Sequence, residues 1–258
     1  MRGGTTLLSD LLNSHSKIAI FERELRALMW SGLSGGLHTL LVLRHLYSSL
    51  ARVRDTRFRH QVHRYIREML RQEHILSRAV GSESIHRAFC ACLANTSTRY
   101  VGDKYPNYIW NYPSFIRKPD DRTIFVIRDP RDAVSSIIHR TRSGDWAGKK
   151  WASEYSSIEG ATAYWADVAT AIADVRTLGG NSLIIRYEDL VLETNRTMQT
   201  IANYLEVPVE GFDQSPVHAN SIGKHKRVLK TREIRQIEQA AGALMAVFGY
   251  EQDALCTF

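Results

Sequence analysis

Cysteine is scarce in this sequence, and its scarcity excludes two ways of holding a small fold together. Three cysteines occur in 258 residues; Cys90 and Cys92 are one residue apart, and Cys256 stands alone. Structural zinc sites need paired ligands at wider spacing, and disulfide-stapled domains carry dense, even sets. We therefore expect neither a metal site nor a disulfide framework. The odd, sparse set favours a reducing compartment, the cytoplasm.

Long apolar runs and internal repeats are also missing. No stretch reaches the roughly 20 apolar residues that a membrane-spanning helix needs, and no charged and then apolar leader opens the chain. We expect no transmembrane segment. The length fits one large α/β domain or two small ones. Because no repeat and no low-complexity linker divides the chain, we predict a single domain over residues 1–258.

Basic residues outnumber acidic ones, which indicates an anionic partner. The formal net charge is +7, and much of it is local. Seven arginines lie between residues 52 and 71, and six lysines and arginines accompany one acid between 224 and 235. A nucleotide, an acidic glycan, a nucleic acid or a membrane surface would suit this charge. Each cluster has a second interpretation, since arginine runs are commonly solvated helix faces.

The first eight residues, Met-Arg-Gly-Gly-Thr-Thr-Leu-Leu, place a cation, two glycines and two hydroxyls before an apolar helical run. Main-chain N–H groups of such a turn can surround a phosphate at a helix N-terminus. Gly3 and Gly4 allow a close approach because they lack a Cβ. Arg2 adds a charge, and Thr5 and Thr6 add donors. Alone, the segment leaves phosphate binding and an ordinary helix cap both open.

Strand and helix patterns alternate along the rest of the chain. Four short apolar runs have the pattern of strands: 17–21, 100–104, 123–127 and 183–185. This alternation predicts an α/β fold with a central, mostly parallel sheet flanked by helices, and a helical insertion at about 37–97. Glu22 and Glu24 follow the first strand, at the sheet edge where ligands gather, although acids there also suit the start of a helix.

The run at 123–127 is apolar enough for a strand covered on both faces, and it leads through Arg-Asp-Pro-Arg into a helix. Arg128 lies at the strand end, and Ser136 lies eight residues later in that helix. A strand, a polar turn and a helix N-terminus make a second candidate anion site. A salt-bridged Arg128 and a Ser136 bonded within its own helix are the structural alternatives.

Together these segments resemble the sulfotransferase superfamily, whose sulfuryl donor is 3′-phosphoadenosine-5′-phosphosulfate (PAPS). Residues 2–8 resemble its 5′-phosphosulfate loop, and residues 127–136 resemble its 3′-phosphate motif, an arginine followed by a serine. Asp103-Lys-Tyr-Pro106 is similar to the lysine-proline motif of heparan-type and tyrosyl-protein members. Later segments follow the family's order: 186–190, 221–227 and 248–250. The resemblance covers nearly the whole chain and implies a small, bacterial-type member with a three-layer, P-loop-like fold.

The resemblance implies roles for individual residues. Arg2 and Lys104 would be catalytic cations, with Lys104 reaching the sulfuryl group, and Tyr187 would lie near the adenine. The implied donor-binding residues are Arg2, Gly3, Gly4, Thr5, Thr6, Arg128, Ser136, Tyr187, Ser221, Lys224 and Arg227. The enzyme would release adenosine 3′,5′-bisphosphate (3′,5′-ADP) and would require no metal.

The catalytic base is implied by a Glu-x-Glu arrangement that heparan-type members carry after their second strand. Counting from Arg2, its second glutamate corresponds to Glu24, which we favour over Glu22. Tyrosyl-protein members place the base one residue earlier, where this chain has Arg23, so that alignment needs a gap. The acceptor would be a hydroxyl or amine of a small molecule, glycan or peptide. The arginine-rich stretch favours an anionic or carrier-bound acceptor, and we expect no nucleic acid partner.

One departure and two alternatives accompany this resemblance. The family has a buried strand before the first loop, whereas this chain begins at the loop, so we expect a start further upstream or a truncated chain. The second candidate function is a P-loop kinase for nucleosides or small molecules, but Gly-x-x-x-x-Gly-Lys-[Ser/Thr] is absent. The third is a non-catalytic binder of anionic glycan or nucleic acid, which would need neither Glu24 nor Lys104.

Overall fold

The computed structural model describes residues 4–72, 78–112, 120–144, 152–177 and 181–252. Its contacts group these residues into two compact units. The N-terminal unit lies within Thr5–Arg117 and Val207–Pro216, and the C-terminal unit lies within Met1–Gly4, Lys118–Glu206 and Val217–Phe258. The expectation of a single domain over the whole chain stays a prediction.

The N-terminal unit combines a parallel strand pair with helices. Its elements are α1 (Thr5–Ser14), β1 (Ile18–Ile20), a 3₁₀ helix (Ala27–Trp30), α2 (Gly35–Tyr47), α3 (Leu50–Arg54), α4 (Thr56–Arg71), α5 (Ser82–Leu93), β2 (Tyr100–Gly102) and 3₁₀ helices at Pro106–Asn111 and Val209–Gly211. In the parallel pair, Ile18 lies opposite Tyr100 and Ile20 opposite Gly102. Helices α2 to α5 lie between β1 and β2 in sequence, which confirms the predicted helical insertion.

Helix α4 shows how the insertion makes its core. Asp55 caps the helix by accepting a hydrogen bond from the Phe58 N–H, as carboxylates at this position commonly do. The predicted apolar face is buried at Phe58, Val62, Tyr65, Ile66 and Met69. The sequence also places Leu70 on this face, but Leu70 is 50% exposed. Each residue advances about 100° around a helix, so Leu70 lies beyond the buried edge.

The C-terminal unit also contains a parallel strand pair. Its elements are β3 (Thr123–Ile127), α6 (Pro130–Arg142), α7 (Ile158–Val175), β4 (Ser182–Arg186), α8 (Tyr187–Leu192), α9 (Thr194–Leu205), a 3₁₀ helix (Ala219–Ser221), α10 (His225–Val228) and α11 (Thr231–Val247). Strands β3 and β4 pair from Thr123 opposite Ser182 to Ile127 opposite Arg186. The two parallel pairs with their surrounding helices confirm the predicted α/β class.

The structure differs from the predicted elements in a few places. Residues 31–36 are predicted as a loop, but α2 begins at Gly35, whose N–H donates to the Arg78 carbonyl. Pro106 opens a 3₁₀ helix instead of an α-helix. The segment 221–227, also predicted as a loop, contains the start of α10. The predicted end of α7 at Gly179-Gly180 lies outside the described residues. None of the helices in the described ranges is long and apolar enough to cross a membrane.

Candidate active site

Glu24 and Lys104 meet in the N-terminal unit. Glu24 follows β1 and Lys104 follows β2, and parallel strands bring their carboxyl ends to the same edge. Glu24 Oε1 lies 3.7 Å from Lys104 Nζ, and Glu24 Oε2 accepts a hydrogen bond from Arg26 Nη2 at 3.2 Å. The side chains of Glu24 and Lys104 are 29% and 20% exposed. The predicted base is therefore held between two cations and remains reachable from solvent.

Glu22, the second candidate base, has different partners. Its carboxylate pairs with Arg57 of α4 at 3.0 Å, and the Arg57 side chain is 80% exposed. The Glu22 N–H donates to Gln61 Oε1 on the same helix. Glu22 thus fastens the strand end to α4, while Glu24 makes the contact with Lys104.

Asp103 is a site residue to which the sequence assigned no role. Its carboxyl accepts hydrogen bonds from the N–H groups of Leu25, Arg26 and Lys104 and from the Tyr108 hydroxyl. Burial raises the pKa of Asp103 to about 6, although these hydrogen bonds act to lower it. The available signal was an acid directly before the lysine of the lysine-proline motif.

Two further groups shape the segment after Glu24. Arg26 has a left-handed backbone with φ of 64°, which costs a residue with a Cβ about 1–3 kcal/mol, and its guanidinium lies 4.3 Å from the Tyr105 ring centre. His45 of α2 shares a hydrogen bond of 2.8 Å with the Glu24 carbonyl through Nε2. Burial lowers the pKa of His45 to about 4, with the charges of Arg26 and Arg52 adding to the effect. His45 is thus neutral near pH 7, and Nε2 carries the donated hydrogen.

In the C-terminal unit, Tyr187 joins two of the predicted donor-binding residues. Gly4 has φ of +87°, and a Cβ added to it would lie 2.2 Å from Tyr187 Cδ2. The other contact is with Arg128, whose guanidinium lies 4.8 Å from the ring centre. Tyr187 is buried, so its ring holds the last glycine of the first loop and the first residue of the second anion motif in one place.

The remaining residues of the first loop are only partly described. Arg2 and Gly3 lie outside the described residues. Thr5 and Thr6 open α1, where Thr6 is exposed. Their expected contacts with phosphate stay predictions.

Arg128 is buried at the end of β3 and bonded to the loop before α10. Its Nη2 donates to the Ser221 carbonyl, and Asp132 Oδ2 lies 3.7 Å away. The main-chain carbonyl of Arg128 accepts a hydrogen bond of 2.9 Å from the indole of Trp165. Within the described residues, its Nε is buried and has no hydrogen-bond partner. The predicted pair Arg128 and Ser221 is therefore brought together.

Asp132 binds the same loop, the one that Arg128 contacts at Ser221. It accepts hydrogen bonds from the N–H groups of Gly223 and His225 and pairs with His225 Nδ1 at 2.8 Å. Burial acts to raise the pKa of Asp132, but the hydrogen bonds from His225 and the charge of Arg128 outweigh it, so the pKa is lowered. Asp132 therefore stays ionised and fixes the loop that carries Lys224.

The other predicted donor-binding residues are more accessible. Ser136 is half-buried on α6, and Lys224 and Arg227 are exposed on either side of His225. Neither Lys224 nor Arg227 forms an ion pair with any residue in the described ranges. These two cations are therefore free to meet an anion.

A family model for the sulfotransferase family matches residues 1–211. That span contains the first loop, Glu24, Lys104, Arg128 and Tyr187. The chain belongs to the sulfotransferase family. No curated protein sequence matches it.

Solved structures show the sulfotransferase fold over nearly the full chain. A sulfotransferase domain of the Synechococcus PCC 7002 olefin synthase is 16% identical with a TM-score of 0.62, covering 97% of this chain and 92% of the other. A sulfotransferase domain from the curacin biosynthetic pathway is 14% identical with a TM-score of 0.59, covering 97% and 95%. Sulfotransferase STF9 from Mycobacterium avium is 15% identical with a TM-score of 0.52, covering 98% and 76%. The α/β, P-loop-like sulfotransferase fold is thereby confirmed.

A buried polar network in this sulfotransferase accounts for residues near Arg128 that do not face a ligand. Arg131 pairs with Asp129 and with Glu238, each at 2.7 Å. Glu188 accepts hydrogen bonds from the Asp129 N–H and the Tyr250 hydroxyl. Asp129 is thus paired with Arg131, and Tyr250 contacts α8 through Glu188 and the end of β4 through Arg186, whose guanidinium lies 4.4 Å from its ring centre. Across the described residues, no cluster of three or more His, Cys, Asp or Glu could hold a metal ion.

Proposed function

We propose that this sulfotransferase moves a sulfuryl group from PAPS to a hydroxyl or amine of its acceptor by in-line displacement, with Glu24 as the base. The observation that carries the proposal is the meeting of Glu24 and Lys104 at the ends of two parallel strands, 3.7 Å apart. A carboxylate that accepts the acceptor's proton and a cation that stabilises negative charge on the transferring group are two requirements of this reaction.

Glu24 and Lys104 divide the work on the acceptor. Glu24 takes the proton at a carboxylate oxygen, and its orientation is set by Arg26 on one oxygen and Lys104 on the other. Holding the base in one place lowers the entropic cost of reaching the reactive arrangement. Lys104 then faces the oxygens of the group in transfer.

The donor is assigned to residues of the C-terminal unit. Arg128 suits a 3′-phosphate because its guanidinium is held beside the loop that carries Lys224, and exposed Lys224 and Arg227 supply further charge. Ser136 and the first loop, including Arg2, keep their predicted roles beside the two phosphates. When bound, PAPS supplies the activated sulfuryl group, and no metal is needed in this scheme.

The class of acceptor is suggested by the proteins that share the fold. Two proteins with this fold are sulfotransferase domains of the curacin biosynthetic pathway and of an olefin synthase. We take this as support for a small-molecule or carrier-bound acceptor over a glycan or a peptide.

Ligand-dependent thermal unfolding tests the proposal against its two alternatives. Stabilisation by 3′,5′-ADP, and not by ATP with magnesium or by heparin, is expected of a PAPS-dependent enzyme. Stabilisation by ATP with magnesium alone would favour a kinase, and stabilisation by heparin alone would favour a non-catalytic binder. Release of 3′,5′-ADP from PAPS, measured with hydroxyl and amine acceptors of each class, then identifies the acceptor.

A further inference from the structure

A single carboxyl ties together the two strand ends that carry Glu24 and Lys104. Asp103 accepts hydrogen bonds from the N–H groups of Leu25 at 3.0 Å and Arg26 at 2.8 Å, directly after Glu24 in the chain. It also accepts a hydrogen bond of 2.8 Å from the N–H of Lys104. One side chain therefore fixes the main chain beside the proposed base and beside the proposed cation.

The main chain that Asp103 holds has a shape that needs support. Arg26 is left-handed, with φ of 64° and ψ of 20°, a conformation that residues with a Cβ avoid. Two successive N–H groups that converge on one anion form a nest, the arrangement by which main chains bind carboxylates and phosphates. If Asp103 were protonated, it would be a weaker hydrogen-bond acceptor, and its added proton would lie against N–H groups that also donate. The ionised form of Asp103 is thus the one that this segment accommodates.

Charged and titratable groups surround Asp103 on each element packed against it. Lys104 and Arg26 are cations, and Glu24 is an acid, all on the two strand ends. Tyr108 donates its hydroxyl hydrogen to Asp103. Tyr65 faces it from α4; burial raises the pKa of Tyr65 well above its usual value, and the charge of Asp103 adds to the rise. Burial likewise raises the pKa of Asp103 to about 6, within reach of mild acidification.

We propose that Asp103 is a positioning residue whose ionised carboxylate holds Glu24 and Lys104 in their working arrangement, so that turnover depends on its charge. The inference rests on the proposed function for its kinetic readout. Because both partners are held through their main chains, protonation of Asp103 releases them together. Sulfuryl transfer therefore decreases as the pH falls through the range in which Asp103 binds a proton.

The kinetic test compares kcat against pH in the wild type, Tyr108→Phe and Asp103→Asn. Tyr108→Phe removes a hydrogen bond that lowers the pKa of Asp103, so the acidic limb moves to higher pH although no group facing the acceptor is changed. Asp103→Asn lowers kcat by about 10- to 100-fold through misplacement of the reacting groups. Asp103→Asn also has no carboxyl at this position to titrate, so adding Tyr108→Phe to it no longer moves the acidic limb of the kcat profile. The affinity for 3′,5′-ADP stays at the wild-type value in both variants.

Asp55→Asn is the matched control in the same unit. Asp55 also accepts a main-chain hydrogen bond and pairs with an arginine, but it lies at the start of α4. This variant has a lower Tm and the wild-type pH profile. The inference is overturned if Tyr108→Phe and Asp103→Asn keep the wild-type profile, or if Asp55→Asn alters the profile as strongly as they do.

A second measurement reports the geometry without turnover. Lys104 is acylated with acetic anhydride at neutral pH, and peptide mass spectrometry compares its labelling with that of exposed Lys230. Asp103→Asn raises this ratio several-fold because Lys104 is released from its partly buried position, whereas Asp55→Asn leaves it unchanged. Unchanged labelling in Asp103→Asn would overturn the positioning role. A wild-type protein that labels as expected but transfers no sulfuryl group to any acceptor would overturn the proposed function instead.

Discussion

The two groups of proposed site residues lie at the ends of parallel strands, yet they are stabilised in opposite ways. After β1 and β2, Glu24 and Lys104 keep 29% and 20% of their side chains exposed. After β3, Arg128 is 7% exposed and Asp132 is 2% exposed. A base must reach its acceptor, whereas a residue that recognises a constant part of the donor gains from a preformed position. The exposure of Glu24 and the burial of Arg128 thus follow their proposed tasks, although Lys224 and Arg227, which are also assigned to the donor, are exposed.

The difference in burial between the two regions decides whether a mutation there changes activity alone or also stability. Partly exposed ion pairs such as Glu24 with Lys104 contribute little to stability, typically about 0–1 kcal/mol. Breaking a buried pair such as Arg128 with Asp132 leaves a charge without compensation and costs about 3–5 kcal/mol. Substitutions in the first region therefore read out activity, while those in the second must preserve charge to be interpretable.

Glu24→Gln gives the largest expected effect. If it left activity unchanged, the proposed difference in task between the two regions would be wrong. Loss of the base should lower kcat by about 10²- to 10⁴-fold, while the Tm and the affinity for 3′,5′-ADP stay close to wild type. Steady-state kinetics with PAPS and isothermal titration with 3′,5′-ADP provide the two measurements. Glu22→Gln is the control and should keep most of the activity. Near-normal turnover in Glu24→Gln would remove Glu24 from the role of base.

Arg128→Lys sharpens the assignment of the buried region. The substitution keeps the charge opposite Asp132 but loses the planar fork and its Nε donor. Loss of charge-assisted hydrogen bonds should weaken 3′,5′-ADP binding by about 10- to 100-fold, measured by calorimetry. Exposed Arg232 of α11 offers the control Arg232→Lys, for which no change is expected. An unchanged affinity in a folded Arg128→Lys protein would contradict a phosphate contact at this residue.

Gly4→Ala gives the smallest effect and tests the contact with Tyr187. The added Cβ would lie 2.2 Å from the ring, and overpacking of this kind costs about 1–3 kcal/mol. Gly223→Ala is the matched control because Gly223 also has a positive φ, of +66°, but no atom within 4 Å of an added Cβ. Urea unfolding should show a larger decrease in the free energy of unfolding for Gly4→Ala than for Gly223→Ala. Equal decreases would mean that glycine is needed at position 4 because of its positive φ, and not because of the contact with the Tyr187 ring.

Local patterns in the sequence predicted much of the fold and part of the site. Strand 123–127 agrees with the structure at both ends, since a continuous apolar run carries its own signal. The contact between Glu24 and Lys104 depends on the pairing of β1 with β2, which local sequence patterns did not predict. Leu70 was misplaced because a helical pattern does not show where the buried face ends.

The parts that escaped prediction depend on partners far apart in the chain. Asp103 bonds the N–H of Leu25, 78 residues away, and His225 bonds Asp132, 93 residues away. Glu188 is joined to Asp129 in the same manner. No periodicity or spacing encodes such pairs, because each is decided when elements pack. The residues that position a site were therefore harder to find than the residues that face the ligand.

The hydrogen bond from Trp165 to the carbonyl of Arg128 has an optical consequence. The indole is fully buried, and indole fluorescence responds to the polarity around the ring and to the bond that its nitrogen makes. A displacement of the main chain at Arg128 would change that bond directly. The chain has five tryptophans, so a variant that keeps only Trp165 would report, through its emission, on events beside the residue assigned to the donor's phosphate.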